Sequence, residues 1–263
     1  MIKETDKVEG KGTNNSFSPA LAVVSALSVL ISAAAKHLLG GLSPNGADAL
    51  RDLLFSLAFY GAVSLLPSVI LFVFLKKGEG AEKTKENVEH CPGKCDKLLF
   101  LTALSAPMFA GMVSFLFGAE GNLSKMSFGG FWDIIIGSFT WVVIPGICEE
   151  LFYRCALTRT VTAFGGKVLG VVIPALIFGV GHFSSGVIPQ ALFTGVCYGL
   201  LSDGGKRWKM CALCHMINNG CAYLMSVAQA EELTVLAQAV GTAGAVIGIS
   251  FIPISLVYVL RKK

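Results

Sequence analysis

Two adjacent acids, Glu149 and Glu150, close the apolar run Trp141–Cys148, and Arg154 follows them. On a helix, Glu150 and Arg154 stand four apart on one face, in the favourable acid-before-base order. A buried acid paired in this way stays ionised and plays a structural part. Glu149 points about 100° away from that face, with Tyr153 as its i+4 neighbour and no cation close in sequence. Burial without a partner makes such a carboxylate a proton acceptor suited to general-base work near neutral pH. The alternative is a helix end at the membrane surface with both acids in water. Further on, Phe178–Gly179–Val180–Gly181–His182 places a histidine beside two glycines that let another backbone or a substrate approach closely. His215 and Asn219 share a helix face at i and i+4. Two donors aimed at one point are what an oxyanion hole requires. Each histidine on its own reads equally as a polar contact between helices.

These residues sit in a chain built for lipid. Of 263 residues, 54% are hydrophobic and 14% charged, and the mean hydropathy is +0.68. Soluble domains carry about 25% charge, so the composition excludes an ordinary soluble enzyme. No basic run is interleaved with aromatics, so nucleic acid is not an expected partner. Eight apolar segments alternate with short polar ones: Phe17–Leu39, Leu53–Leu75, Leu98–Phe117, Phe131–Leu157, Val168–Phe183, Val187–Leu201, Met210–Val227 and Val235–Leu260. About 20 residues cross a bilayer, so the expected architecture is an all-α, polytopic transmembrane bundle of about eight spans. The fifth and sixth segments are short, as broken or tilted helices lining a cavity are.

The expected organisation is a cytoplasmic tail over 1–16, one membrane-embedded domain over 17–260 with a charged loop at 76–97, and a basic tail over 261–263. The first apolar segment is longer than a signal-peptide core and follows a long polar lead, so it reads as a retained helix. Eighteen of the 21 basic residues fall at one side of this arrangement, and Lys36, Arg51 and Lys125 at the other. The positive-inside rule then puts both termini in the cytoplasm, in keeping with an even number of spans and a cell-membrane location.

Ionisable groups within spans are rare and mark function. The order EExxxR (Glu149, Glu150, Arg154), FxxxH (Phe178, His182), HxxxN (His215, Asn219), each in an apolar segment, resembles the CAAX prenyl endopeptidase and bacteriocin-processing family of intramembrane glutamate proteases, also called the Abi family. The resemblance runs from about Trp141 to Val227. It implies a metal-independent peptidase with its site sunk in the bilayer, acting on a peptide or protein substrate at the membrane and needing no cofactor. Glu149 would be the general base that activates water and His182 would help to position that water. His215 and Asn219 would hold the oxyanion, with Glu150 and Arg154 supporting. A non-proteolytic immunity or scaffold protein of the same fold is the alternative. A transporter would show two inverted halves with matching broken segments, and the sequence has none.

Other patterns carry less. Cys211–Ala212–Leu213–Cys214–His215 matches the haem-attachment pattern CxxCH, but it lies inside an apolar span and shares its histidine with the third motif. His90, Cys91 and Cys95 form an incomplete set for structural zinc. Glu149, His182 and His215 supply the His₂Glu set of some zinc enzymes, yet HExxH is missing. One difficulty is geometric. With a rise of ~1.5 Å per residue, His182 lies ~22 Å beyond Lys167, whereas His215 lies only ~9 Å beyond Lys209. Straight helices anchored at one surface do not bring the two together. A tilted, broken or offset helix is required, with Pro145–Gly146 and Pro174 as candidate break points.

Overall fold

The computed structural model describes residues 19–40, 48–79, 97, 100–106, 130–182 and 187–230, together with positions 235, 239, 242, 243, 246 and 250. Most of the third and eighth expected spans lie outside the described residues. So do both tails, residues 80–96 of the charged loop, and His90, Cys91 and Cys95. Among the described residues the chain is helical, without strands. Helix α1 is Pro19–Gly40. Helix α2, Ala49–Tyr60, continues through a π-helical stretch π1, Gly61–Leu65, into α3, Leu66–Glu79, so the first four residues of the expected loop at 76–97 are helical. A second composite helix runs through α4 (Phe131–Ser138), π2 (Phe139–Val143), α5 (Ile144–Glu150), π3 (Leu151–Thr158) and α6 (Arg159–Val180). Helices α7, Ile188–Leu201, and α8, Trp208–Ala230, follow. Residues 100–106 form a further helical stretch.

Three helices among the described residues are long and apolar enough to cross a membrane: Pro19–Leu39, Ala49–Leu75 and Phe131–Val180. Ile188–Leu201 is a shorter apolar helix. The count is therefore coarser than eight. Helix α8 is long enough at 23 residues, but His215, Asn218 and Asn219 lower its apolarity. Phe131–Val180, 50 residues in length, merges two expected spans, and its geometry shows a reversal rather than a rod. Gly166 adopts φ 80° and ψ 176°, outside the helical region. The Tyr153 and Phe178 rings stand 5.1 Å apart, whereas 25 residues of straight helix would separate them by ~37 Å. A Cβ at Gly170 would stand 3.3 Å from Thr162 Cα. The chain therefore turns back at Gly165–Gly166, and the arms run side by side.

Two of the π-helical stretches have a cause in the sequence. Both π1 and π2 end two residues before a proline, at Leu66–Pro67 and Ile144–Pro145. A proline inside a helix lacks an N–H and its ring clashes with the carbonyl four residues back. A widened turn ahead of it moves that carbonyl aside, and the Leu66 and Ile144 amides donate to Gly61 and Phe139 oxygens five residues back. In π3 the Thr158 hydroxyl donates to the Tyr153 carbonyl oxygen at 2.8 Å, which supplies a partner within the widened turn.

Helices α6 and α7 pack antiparallel through small residues. A Cβ at Gly195 would stand 3.0 Å from Ala175 Cα, and one at Gly199 would stand 3.4 Å from Val171 Cα. Backbones meet this closely only where side chains are absent or minimal. The polarity of the bundle is that of a membrane protein. Leu27, Leu30, Leu54, Leu57, Val172, Leu176 and Leu224 face outward, while Ser28, Asp52, Thr140, Glu149, Glu150, Arg154 and His215 are buried.

Candidate functional site

The site is assembled around Glu150, which is fully buried on α5. One carboxylate oxygen accepts a hydrogen bond from His215 Nδ1 of α8 at 3.0 Å. The other is ion-paired with Arg154 Nε at 3.1 Å, four residues on. Arg154 is itself fully buried. Its guanidinium carbon lies 5.3 Å from the Phe178 ring centre, 5.9 Å from Tyr153 and 6.0 Å from Tyr198. A desolvated guanidinium over aromatic faces gains cation–π stabilisation. Glu150 is thus the anion that holds a cation on one side and a histidine on the other.

Glu149 takes a different direction. It is buried, and its Oε1 accepts a hydrogen bond from the Tyr60 hydroxyl at 3.3 Å. Lys36, His182 and His215 all lie within electrostatic reach of it. His182 follows the end of α6, and its Nδ1 donates to the Phe178 carbonyl oxygen at 2.8 Å. A carbonyl can only accept, so Nδ1 carries the proton and a neutral His182 presents Nε2 as an acceptor. The Phe178 ring seats both histidines, at 4.8 Å from His182 and 5.8 Å from His215. Asn219 stands one turn beyond His215 on α8, half-buried, and makes no hydrogen bond among the described residues.

Five of the six sequence candidates, Glu149, Glu150, Arg154, His182 and His215, therefore gather at one place, and Asn219 lies a turn away on the same helix. The depth difficulty is resolved by an offset. The turn between α7 and α8 does not reach the level of Gly166. A Cβ at Gly205 would stand 2.6 Å from the Arg154 carbonyl oxygen, and one at Gly204 would stand 3.8 Å from Thr162. This turn packs on the arm that precedes the hairpin apex, against Thr162, Arg159 and Arg154, so α8 starts short of the level of Gly166 and the gap between the two histidine depths narrows. Pro145–Gly146 is not a break: both residues are helical, and the adjustment lies in π2 ahead of them. Pro174 lies within α6 with helical backbone on either side; the non-helical residue there is Gly166.

Sequence reasoning missed Lys36 and Tyr60. The charge count uses Lys36 only to orient the chain and gives it no part in the site. It is partly buried, and its Nζ donates to the Gly181 carbonyl oxygen at 3.4 Å. Tyr60 had a usable signal: a hydroxyl-bearing ring within an apolar span, just ahead of a Gly and a Pro that mark an irregular turn. Irregular π turns often accompany functional sites. The CxxCH cysteines pack as interior side chains, and Cys211 Sγ donates to the Tyr198 carbonyl oxygen at 3.4 Å. No three His, Cys, Asp or Glu residues among those described are grouped so as to hold a metal ion.

Comparison with known proteins adds one finding. Neither the curated proteins nor the solved structures give a match. Residues 131–221 match the family model described as Type II CAAX prenyl endopeptidase Rce1-like, and all six candidate residues fall inside that match. That match runs from the start of α4 to the middle of α8, about a third of the chain, and over it the chain is similar to the CAAX prenyl endopeptidase family.

Proposed function

We propose that this protein is an intramembrane endopeptidase in which Glu149 and His182 activate water and His215 and Asn219 stabilise the oxyanion. The observation that carries the reading is the convergence of Glu149, His182 and His215 in the protein interior, where Glu149 is within electrostatic reach of both histidines and both rings contact Phe178. Glu149 accepts a proton from a water molecule that also donates to His182 Nε2. The resulting hydroxide attacks the substrate carbonyl carbon. The C=O π electrons move onto oxygen, giving a tetrahedral oxyanion that faces α8. The Asn219 amide donates to it. His215 donates from Nε2 in its doubly protonated form, whose charge the Glu150 carboxylate at Nδ1 balances. When the intermediate collapses, the C–N bond breaks and Glu149 returns its proton to the departing amine. Glu150 and Arg154 fix the angle of His215.

The substrate is a peptide segment in or beside the membrane, near a C-terminus or a membrane anchor, and cleavage of prenylated tails is one activity within that class. The protein is a single multi-pass domain of eight spans with both termini in the cytoplasm. Comparing all peptide termini in membranes from cells that make wild type or Glu149→Gln at equal levels tests the reading. It expects one or a few cleavages to vanish in the variant. If every cleavage persists while both forms confer the same phenotype, the immunity or scaffold reading replaces it. Catalysis without metal predicts that a strong chelator leaves the rate unchanged; loss of activity restored by zinc would point instead to the His₂Glu chemistry.

A further inference from the structure

Lys36 enters the site from α1, outside the segment that matches the family. It is the one Lys, Arg, Asp or Glu in α1, and it is partly buried. A lysine near the end of a membrane helix ordinarily extends toward water. This one turns inward. Its Nζ donates to the Gly181 carbonyl oxygen at 3.4 Å, and it interacts with Glu149 and with the Tyr153 hydroxyl. Gly181 caps the end of α6, and the next residue is His182. The ammonium therefore touches the backbone that carries one half of the water-activating pair, and lies within electrostatic reach of the carboxylate that forms the other half. Helix α1 packs directly on α3 and α6, which fixes the depth at which the ammonium arrives.

We propose that Lys36 is a positioning residue of the reaction centre, which ties the Gly181–His182 helix end to the Glu149 carboxylate across the α1–α6 contact. The proposal rests on the endopeptidase reading for its catalytic consequence and, for the tie, on the Lys36–Gly181 hydrogen bond together with the electrostatic reach of Lys36 to Glu149. The ammonium and the Glu149 carboxylate attract each other within the site. Tyr60 takes the Glu149 oxygen Oε1 at 3.3 Å and restricts the carboxylate from the α2 side. Removal of Lys36 frees the α6 end and takes a nearby positive charge away from Glu149, whose hydrogen-bond donor is Tyr60.

The tie is tested first without any substrate, by thermal unfolding of the full chain in detergent micelles. Wild type, Lys36→Met, Glu149→Gln and the double variant form one cycle. Lys36→Met is expected to lower the melting temperature clearly in the wild-type background and much less in the Glu149→Gln background. Equal lowering in both backgrounds overturns the tie. If Lys36→Met alone does not fold, recovery of folded protein on adding Glu149→Gln supports the tie, and failure to recover overturns it. The catalytic consequence is tested on a synthetic peptide spanning whichever cleavage is lost in Glu149→Gln. Lys36→Met is expected to lower kcat by about 10- to 100-fold with little change in KM, and Lys36→Arg to recover most of it. An unchanged kcat overturns the positioning role even if the tie stands. If Glu149→Gln removes no cleavage, the endopeptidase reading and the catalytic role fall together, while the unfolding cycle still decides the tie.

Discussion

Burying an ion pair costs solvation that only good geometry offsets, and breaking one is worse than never having it. Glu150, Arg154 and His215 show the consequence at the scale of single residues. Arg154→Met leaves Glu150 buried with its histidine as the remaining partner, and is expected to cost about 3–5 kcal/mol, measured as loss of folded protein in a thermal or denaturant titration. Adding Glu150→Gln to Arg154→Met should return part of that stability, because no uncompensated charge remains, but not activity, since the anion that orients His215 is gone. Recovery of both would mean that Glu150 serves structure alone. Glu149→Gln is the opposite case. It retains shape and the Tyr60 contact, so the protein should fold, while turnover falls about 10²- to 10⁴-fold through loss of the proposed general base. A Glu149→Gln protein that unfolds instead would make Glu149 a structural residue.

At the scale of elements, the site depends on how closely helices approach and on where their turns stop. Gly195 meets Ala175 backbone to backbone, whereas Gly61 has open space around its missing Cβ and an ordinary helical φ of −57°. Gly195→Leu is therefore expected to cost about 1–3 kcal/mol through overpacking and to displace α7 from α6. Gly61→Ala should be neutral or slightly stabilising, since alanine favours helix over glycine. Melting temperatures of the two variants, measured side by side, check this; equal values would remove the close packing of α6 on α7. The turn that sets the offset is similarly exacting. Asp203, Gly204 and Gly205 have φ of 49°, 64° and 92°, and at Gly205 a side chain would meet the Arg154 carbonyl oxygen. The sequence Asp–Gly–Gly is what such left-handed backbone admits without strain.

For the whole molecule, the inverted polarity matters most. Many apolar side chains face outward while Glu149, Glu150, Arg154 and His215 are buried, so the bilayer joins the interior cluster around Phe152, Leu157 and Phe178 as a sink for apolar surface, and the interior can hold a charged site. In that interior each electrostatic contact is stronger than it would be in water. The proposed eight-span arrangement with both termini inside predicts that a reporter active only in the cytoplasm will function when fused at either end. Activity at one end alone would require an odd number of spans.

Membrane character, helicity and the order of the three motifs were legible in the chain because each rests on local information. Apolar length reports on lipid, and the pairing of Glu150 with Arg154 follows from the four-residue repeat of a helix. The pairing of Glu149 was not legible by this route: it lacks a cation nearby in sequence, and its charged neighbour comes from α1. Nor could a fixed rise per residue place His182 and His215 at one depth, because that depends on a hairpin apex at Gly166 standing beyond the turn at Gly205. The number of spans also stayed finer in the hydropathy reading, which already separates Phe131–Leu157 from Val168–Phe183 where the chain turns at Gly166, than in the three long apolar helices among the described residues. Periodicity along one helix is a property of sequence; the register between helices is decided by which glycines let two backbones touch, and tertiary packing alone selects that.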